Sequence, residues 1–177
     1  IQANGQVVLT NPSGVTFARG AQVDTAGLIV SAAGISNQNF MAGRMIFDQP
    51  ARRDAAIVNQ GTLTVRQAGL AALVAPQVAN TGTITARLGH VVLAGARAAT
   101  LDLYGDGLVA IDVTRQVTET PRGADGKPVT SLVTNSGVVR ASGGTVQLTA
   151  SAVDGVVTTL VTAGGSIAAA TRAGRPG

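Results

Sequence analysis

From Ile57 to Leu93 the chain alternates short apolar runs with polar turns, and does so twice in the same order. Asn59-Gln60-Gly61-Thr62-Leu63-Thr64-Val65 precedes Gly69-Leu70-Ala71-Ala72-Leu73-Val74-Ala75. Asn80-Thr81-Gly82-Thr83-Ile84-Thr85-Ala86 then precedes Gly89-His90-Val91-Val92-Leu93-Ala94. The two Asn-x-Gly turns stand 21 residues apart. A repeat of that length built only from short strands and tight turns predicts a β-solenoid.

The rest of the chain is read against this repeat. Gly5-Gln6-Val7-Val8-Leu9 matches Gly89-His90-Val91-Val92-Leu93, so the chain is expected to open inside a coil, without an N-terminal cap. Asn11-Pro12-Ser13-Gly14 is a turn signal, with Pro presetting φ, Gly favoured at the fourth position and the Ser13 hydroxyl able to cap the turn. Val15–Phe17, Ala21–Val23 and Gly27–Ser31 read as strands. Residues 35–49 break the pattern: Ser36 to Gly43 reads as a helical or irregular turn with Phe40 and Met41 as plugs, Arg44 to Phe47 returns to an extended form, and Gln49 to Asp54 is a polar loop. After Ala94, Leu101–Tyr104 and Leu108–Val113 read as strands around Gly105-Asp106-Gly107. Val117–Thr120 and Val129–Leu132 read as an extra-helical β-hairpin with a polar tip. The repeat resumes at Asn135-Ser136-Gly137 and Gly144–Ala150, and ends in a degenerate copy, Gly165–Ala169. One β-helix domain over residues 1–170 is expected, with 171–177 a flexible tail.

The corner residues Asn59, Gly61, Asn80, Gly82, Asn135 and Gly137 have a physical reason. Sharp bends call for residues that tolerate φ > 0, and Gly does so best, then Asn. Stacked Asn side chains can also hydrogen-bond from rung to rung. About seven to eight rungs at ~4.8 Å each predict a rod on the order of 35–40 Å long.

Composition sharpens this picture. The 177 residues are 45% hydrophobic but only 2% aromatic and 12% charged, with 23 glycines. Val, Ala, Ile, Leu and Thr must therefore fill the interior, which suits narrow stacked rungs and argues against disorder. The net charge of +4 comes from scattered arginines rather than a stripe, and aromatics for base stacking are scarce, so nucleic-acid binding is not expected. Absence of cysteine removes disulfides and thiolate metal sites. No apolar run is long enough for a transmembrane helix, and no signal peptide is visible. Ile1 is expected to arise by processing or truncation.

Candidate chemistry is thin. Asp102, Asp106 and Asp112 supply hard oxygen ligands of the type Ca²⁺ needs, but strand alternation separates them and they lack EF-hand spacing, so solvated turn acids are the simpler reading. His90 is the sole imidazole and Glu119 the sole glutamate. Polysaccharide-active β-helix enzymes need convergent carboxylates in one cleft, and no close acidic pair stands out. No catalytic residue, metal or cofactor is expected.

Several blocks in order carry a family resemblance. Asn11-Pro12-Ser13-Gly14-Val15-Thr16-Phe17-Ala18-Arg19-Gly20-Ala21-Gln22-Val23-Asp24 is one, and Gly27-Leu28-Ile29-Val30 follows it. Ile35 to Arg44, the Asn-x-Gly repeats and Leu101 to Leu108 complete the set. Together they resemble the secretion domain of filamentous haemagglutinin-type exoproteins, where Asn-Pro-Asn-Gly is usual and Ser13 replaces the second Asn. The resemblance implies an all-β, right-handed parallel β-helix exported by two-partner secretion. It implies recognition by periplasmic domains of an outer-membrane β-barrel transporter, and delivery through the periplasm to the outer-membrane surface or the medium. Asn11, Pro12, Ser13, Gly14 and Val15 become the expected secretion motif, and the domain the scaffold of an adhesin. A coil without a cap also fits end-to-end self-association into a filament or matrix, as an alternative.

Overall fold

The computed structural model describes residues 1–66, 68–102 and 110–169. The chain winds as a parallel β-helix, each turn laying one strand on each of three sheets. The first turn is entered through β1 (Gln6–Thr10) and continues as β2 (Gly14–Phe17), β3 (Gln22–Thr25) and β4 (Gly27–Ser31). An excursion carries α1 (Asn37–Met41) and β5 (Met45–Phe47). The second turn is β6 (Ala56–Asn59), β7 (Thr62–Val65) and β8 (Leu70–Ala75), and the third is β9 (Gln77–Asn80), β10 (Thr83–Ala86) and β11 (His90–Gly95). A second excursion holds β12 (Ala98–Asp102) and β13 (Ala110–Arg115). The fourth turn is β14 (Ser131–Asn135), β15 (Val138–Arg140) and β16 (Thr145–Ala150), and the last is β17 (Thr159–Ala163) and β18 (Ser166–Ala168).

Three five-stranded parallel sheets result among the described residues, ordered β1-β4-β8-β11-β16, β2-β6-β9-β14-β17 and β3-β7-β10-β15-β18. Register follows the sequence repeat: Val23, Leu63, Ile84 and Val139 stack in one column. Val15, Ile57, Val78, Val133 and Val161 stack in another. Each buried Val, Leu or Ile contributes roughly 1.5–3 kcal/mol relative to exposure. Thr62 and Thr64 alternate with Leu63 and Val65, so one face of β7 is dry and the other half-wet.

The sheet that contains β8 and β11 differs, being buried on both faces at its three inner strands β4, β8 and β11. Leu28, Val30, Leu73 and Leu93 point into the coil. Ile29, Ala72, Val74 and Val92 point outwards against Phe47, Ala99 and Leu101 of the excursions. There β5, β12 and β13 form an antiparallel sheet in the order β13-β12-β5 that covers this flank. A continuous apolar run such as Leu70–Ala75 is what burial on two faces requires.

Several expectations are corrected. The coil has five strands per sheet rather than seven to eight rungs, because the two excursions consume chain without adding turns; its stack is roughly 20 Å long. Phe40 and Met41 do not plug anything: they are 47% and 82% exposed, and the buried aromatic of that excursion is Phe47. The hairpin expected from Val117–Thr120 and Val129–Leu132 does not pair as drawn. Ser131–Asn135 joins the coil, where Val133 and Asn135 stack on Val78 and Asn80, a larger gain than pairing with exposed Thr118 and Glu119. Only its tip closes, through a bridge between Arg122 and Pro128 and the Gly123 N–H donating to the Lys127 carbonyl (2.9 Å). The antiparallel pair outside the coil is instead β12–β13; the turn expected at Gly105-Asp106-Gly107 lies outside the described residues, as does the expected tail.

The corner glycines serve closeness rather than φ. A Cβ on Gly82 would lie 2.1 Å from the Gly61 carbonyl oxygen, and one on Gly137 2.2 Å from that of Gly82. Successive turns touch backbone to backbone there.

Candidate functional site

The turn after β1 is built by Asn11. Its Oδ1 accepts from the Ser13 N–H (2.9 Å), and its carbonyl accepts from the Gly14 N–H (2.8 Å). Such an Asx turn needs a short side-chain acceptor two residues before the donor, so Asn11 does the capping expected of the Ser13 hydroxyl. The Asn11 N–H donates to the Ser31 carbonyl (3.1 Å), tying the corner to β4. Gly14 has φ +98°, and a Cβ there would sit 2.1 Å from the Ala56 carbonyl oxygen, so the position excludes side chains on two grounds. Val15 turns inward and stacks on Ile57, while Asn11, Pro12 and Ser13 stay exposed.

The polar loop of the first excursion lies against this corner. The Arg52 N–H donates to the Pro12 carbonyl (3.2 Å). Beside it, the Arg53 guanidinium bridges Glu119 (3.0 Å) and Asp54 (3.2 Å), and Asp54 accepts the Arg122 N–H (2.9 Å). Ser13, Arg52, Arg53, Asp54, Ala55 and Glu119 line one open depression. The hydrogen bond to Glu119, then that to Asp54, holds Arg53 above its ordinary pKa. The Arg122 N–H, then Arg53, holds the Asp54 carboxyl below the usual carboxylate range. A carboxyl shifted in that direction is the opposite of a general acid poised near neutrality. Residues 53 and 119 are 66 apart; the unpaired-looking Arg52-Arg53 and lone Glu119 were the only signals, and neither names its partner.

The asparagine corners lie elsewhere, inside the coil. Asn59, Asn80 and Asn135 are fully buried and form a ladder: Asn59 Nδ2 donates to Asn80 Oδ1 (2.8 Å), and Asn80 Nδ2 to Asn135 Oδ1 (2.7 Å). Asn59 Oδ1 also accepts the Gly61 N–H (3.1 Å). Phe17 occupies the ladder position in the turn before, and Ala163 in the turn after, so Asn135 Nδ2 ends the ladder without a partner among the described residues. Asn11–Val15 and the ladder thus belong to different corners and are not brought together.

His90 lies beside the Thr145 hydroxyl on the neighbouring strand. Asp112 pairs with Thr100 across β12–β13. Among the described residues no three His, Cys, Asp or Glu side chains converge as a metal site would need, and no helix is long and apolar enough to cross a membrane.

Comparison with known proteins matches the profile of the TPS secretion domain to residues 1–175. The crystal structure of the HMW1 secretion domain from Haemophilus influenzae is similar, with 27% identity and a TM-score of 0.62. The match covers 96% of this chain and 46% of that one, so this chain spans under half its neighbour's length. No curated protein matches.

Proposed function

The chain belongs to the TPS secretion domain family, and from that membership we propose how this secretion domain of a two-partner exoprotein engages its export machinery. The protein is exported. Its partner in export is an outer-membrane β-barrel transporter whose periplasmic domains recognise the chain on its way to the cell surface or the medium. The coil over residues 1–170 is non-catalytic, and serves afterwards as the scaffold from which an adhesin extends. The observation that carries the reading is the match over residues 1–175 together with an exposed Asn11–Ser13 turn held shut by its own Asn side chain.

The motif acts through geometry. Asn11 and Gly14 set the corner where β1 passes into β2, so their replacement misplaces the first full turn on which later turns are laid. The test is co-expression with an outer-membrane transporter of the two-partner type, in a Gram-negative host. Asn11→Ala with Gly14→Ala is expected to cut the secreted fraction at least about tenfold, a difference of about 1.4 kcal/mol in an equilibrium. Normal secretion of the double variant would remove the motif's role, and secretion without any such transporter would overturn the two-partner reading.

End-to-end association is a second reading, favoured by one observation. The outer edges of β17 and β18 are unpaired among the described residues, and Leu160 and Ile167 are 44% and 40% exposed there. An open edge with apolar side chains templates further strands. Light scattering across a concentration series distinguishes growing mass, which supports it, from a constant monomer, which refutes it.

A further inference from the structure

A second concavity, with lining residues distinct from those of the depression at the Asn11 corner, opens where the antiparallel flap leaves the coil. Its volume is about 480 Å³, within the range of about 300–1,000 Å³ usual for small-molecule clefts. Arg97 and Arg115 flank it, and Thr114, Gln116, Thr118 and Ser151 complete its polar wall. Among the described residues no carboxylate lines it.

The two arginines are placed differently. Arg97 is oriented: its Nε and Nη2 donate to the Ala51 carbonyl (3.3 and 3.2 Å), and its own carbonyl accepts the Ala51 N–H (2.9 Å). Nη1 is left with no partner among the described residues. The Arg97 N–H donates to the Arg115 carbonyl (2.9 Å), which sets the two residues side by side at the base of β12–β13. The Arg115 guanidinium has no hydrogen bond or ion pair among the described residues, and its side chain is exposed. Both arginine side chains line the one cleft, and a guanidinium's planar fork matches the two oxygens of a carboxylate or phosphate. Hydroxyl and amide groups on the same wall match the hydroxyls of a sugar ring.

We propose that the Arg97–Arg115 cleft binds a monosaccharide carrying one oxyanion, a uronic acid or a sugar phosphate. The oxyanion lies between Nη1 of Arg97 and the fork of Arg115, and the ring hydroxyls face Thr114, Gln116, Thr118 and Ser151. The volume admits one such sugar. This binding is independent of the export reading.

Backbone amide NMR of the 177-residue chain tests it, with glucuronate, glucose 6-phosphate, inorganic phosphate and glucose as separate titrants. Saturable shifts confined to Arg97, residues 113–118 and Ser151 are expected with glucuronate or glucose 6-phosphate, with a Kd on the order of 1 mM. Whichever of the two binds more tightly identifies the oxyanion. Glucose should produce none. Arg115→Ala should weaken binding about tenfold or more without altering the circular dichroism, because the side chain supports nothing else. Arg115→Lys, which keeps charge but loses the fork, should also weaken it. The proposal falls if inorganic phosphate binds as tightly as the sugars, if shifts map elsewhere or are absent at about 50 mM, or if Arg115→Ala binds as the parent does.

Discussion

Replacing Asn80 with Ala probes the coil where its polar interior is most constrained. Asn80 is the middle of the buried ladder, accepting from Asn59 Nδ2 and donating to Asn135 Oδ1. Its loss strands one donor and one acceptor that no water reaches. Each stranded group costs roughly 1–3 kcal/mol. Asn59 Nδ2 keeps only a long contact to the Thr83 carbonyl at 3.5 Å, which softens the loss slightly. The sum is about 3–4 kcal/mol, a large part of a typical 5–15 kcal/mol of total stability. Asn135→Ala is the internal control, because its Nδ2 is already unpartnered, so only Asn80 Nδ2 is newly stranded, at about 1–2 kcal/mol. Urea unfolding followed by far-ultraviolet circular dichroism suits a chain with no Trp and one Tyr. With a slope of about 2 kcal/mol per molar, Asn80→Ala should lower the midpoint by about 2 M, and Asn135→Ala by under about 1 M. Equal losses for the two variants, or a loss under about 1 kcal/mol for Asn80→Ala, would refute the ladder as a source of stability.

The other predictions concern the ladder's end and the exposed corner. Ala163→Asn should give Asn135 Nδ2 an acceptor and raise stability by about 1 kcal/mol; an unchanged urea midpoint counts against it. Gly14→Ala places a Cβ against backbone atoms of Ala56 at 2.1 and 2.7 Å and strains φ by roughly 1–3 kcal/mol. Hydrogen exchange of the Val15–Phe17 amides should then accelerate, and parental protection would contradict the steric reading. Asp54 titrates below its ordinary value when folded, so its clasp on Arg122 is intact above the unfolded-state pKa and lost as pH falls through the lower folded one. The Arg122 amide resonance should move in that acidic range, and Asp54→Asn should abolish the movement. An Arg122 amide that titrates identically in both proteins would exclude the clasp.

The coil itself was legible because its signals are local and periodic. Asn59 and Asn80 share a register that needs only equal spacing, and Gly5–Leu9 does lie in the same sheet as Gly89–Leu93. The next interval, Asn80 to Asn135, is 55 residues, and nothing in residues 96–130 states how much of it leaves the coil. Val129–Leu132 has the same apolar and Thr-rich character whether it pairs in a hairpin or stacks in a rung. Its destination is decided by Val78 and Asn80, far away in sequence. Phe40 misleads for a related reason: an aromatic in a polar stretch suggests a plug, but Phe47 lies on the strand that packs with Ile29 and Ala72, and takes that place. At the corner, Asn11 and Gly14 were identifiable from turn chemistry, whereas Arg53 with Glu119 has no periodic signature. Ion pairs between exposed side chains leave no pattern in the chain, since either partner is equally at home in solvent.

Gly61, Gly82, Gly137 and Gly165 form one column down an edge of the coil, each pressed on the carbonyl of the glycine before it or, for Gly61, of Ala21. That edge is a bare seam of main chain on which nothing can be displayed. Any side chain introduced there would press two windings apart and disturb the pairing of the two sheets that meet at that corner. Variation that adapts this protein to a new contact must therefore accumulate on the other ridges and on the two excursions, leaving the seam as a smooth spine.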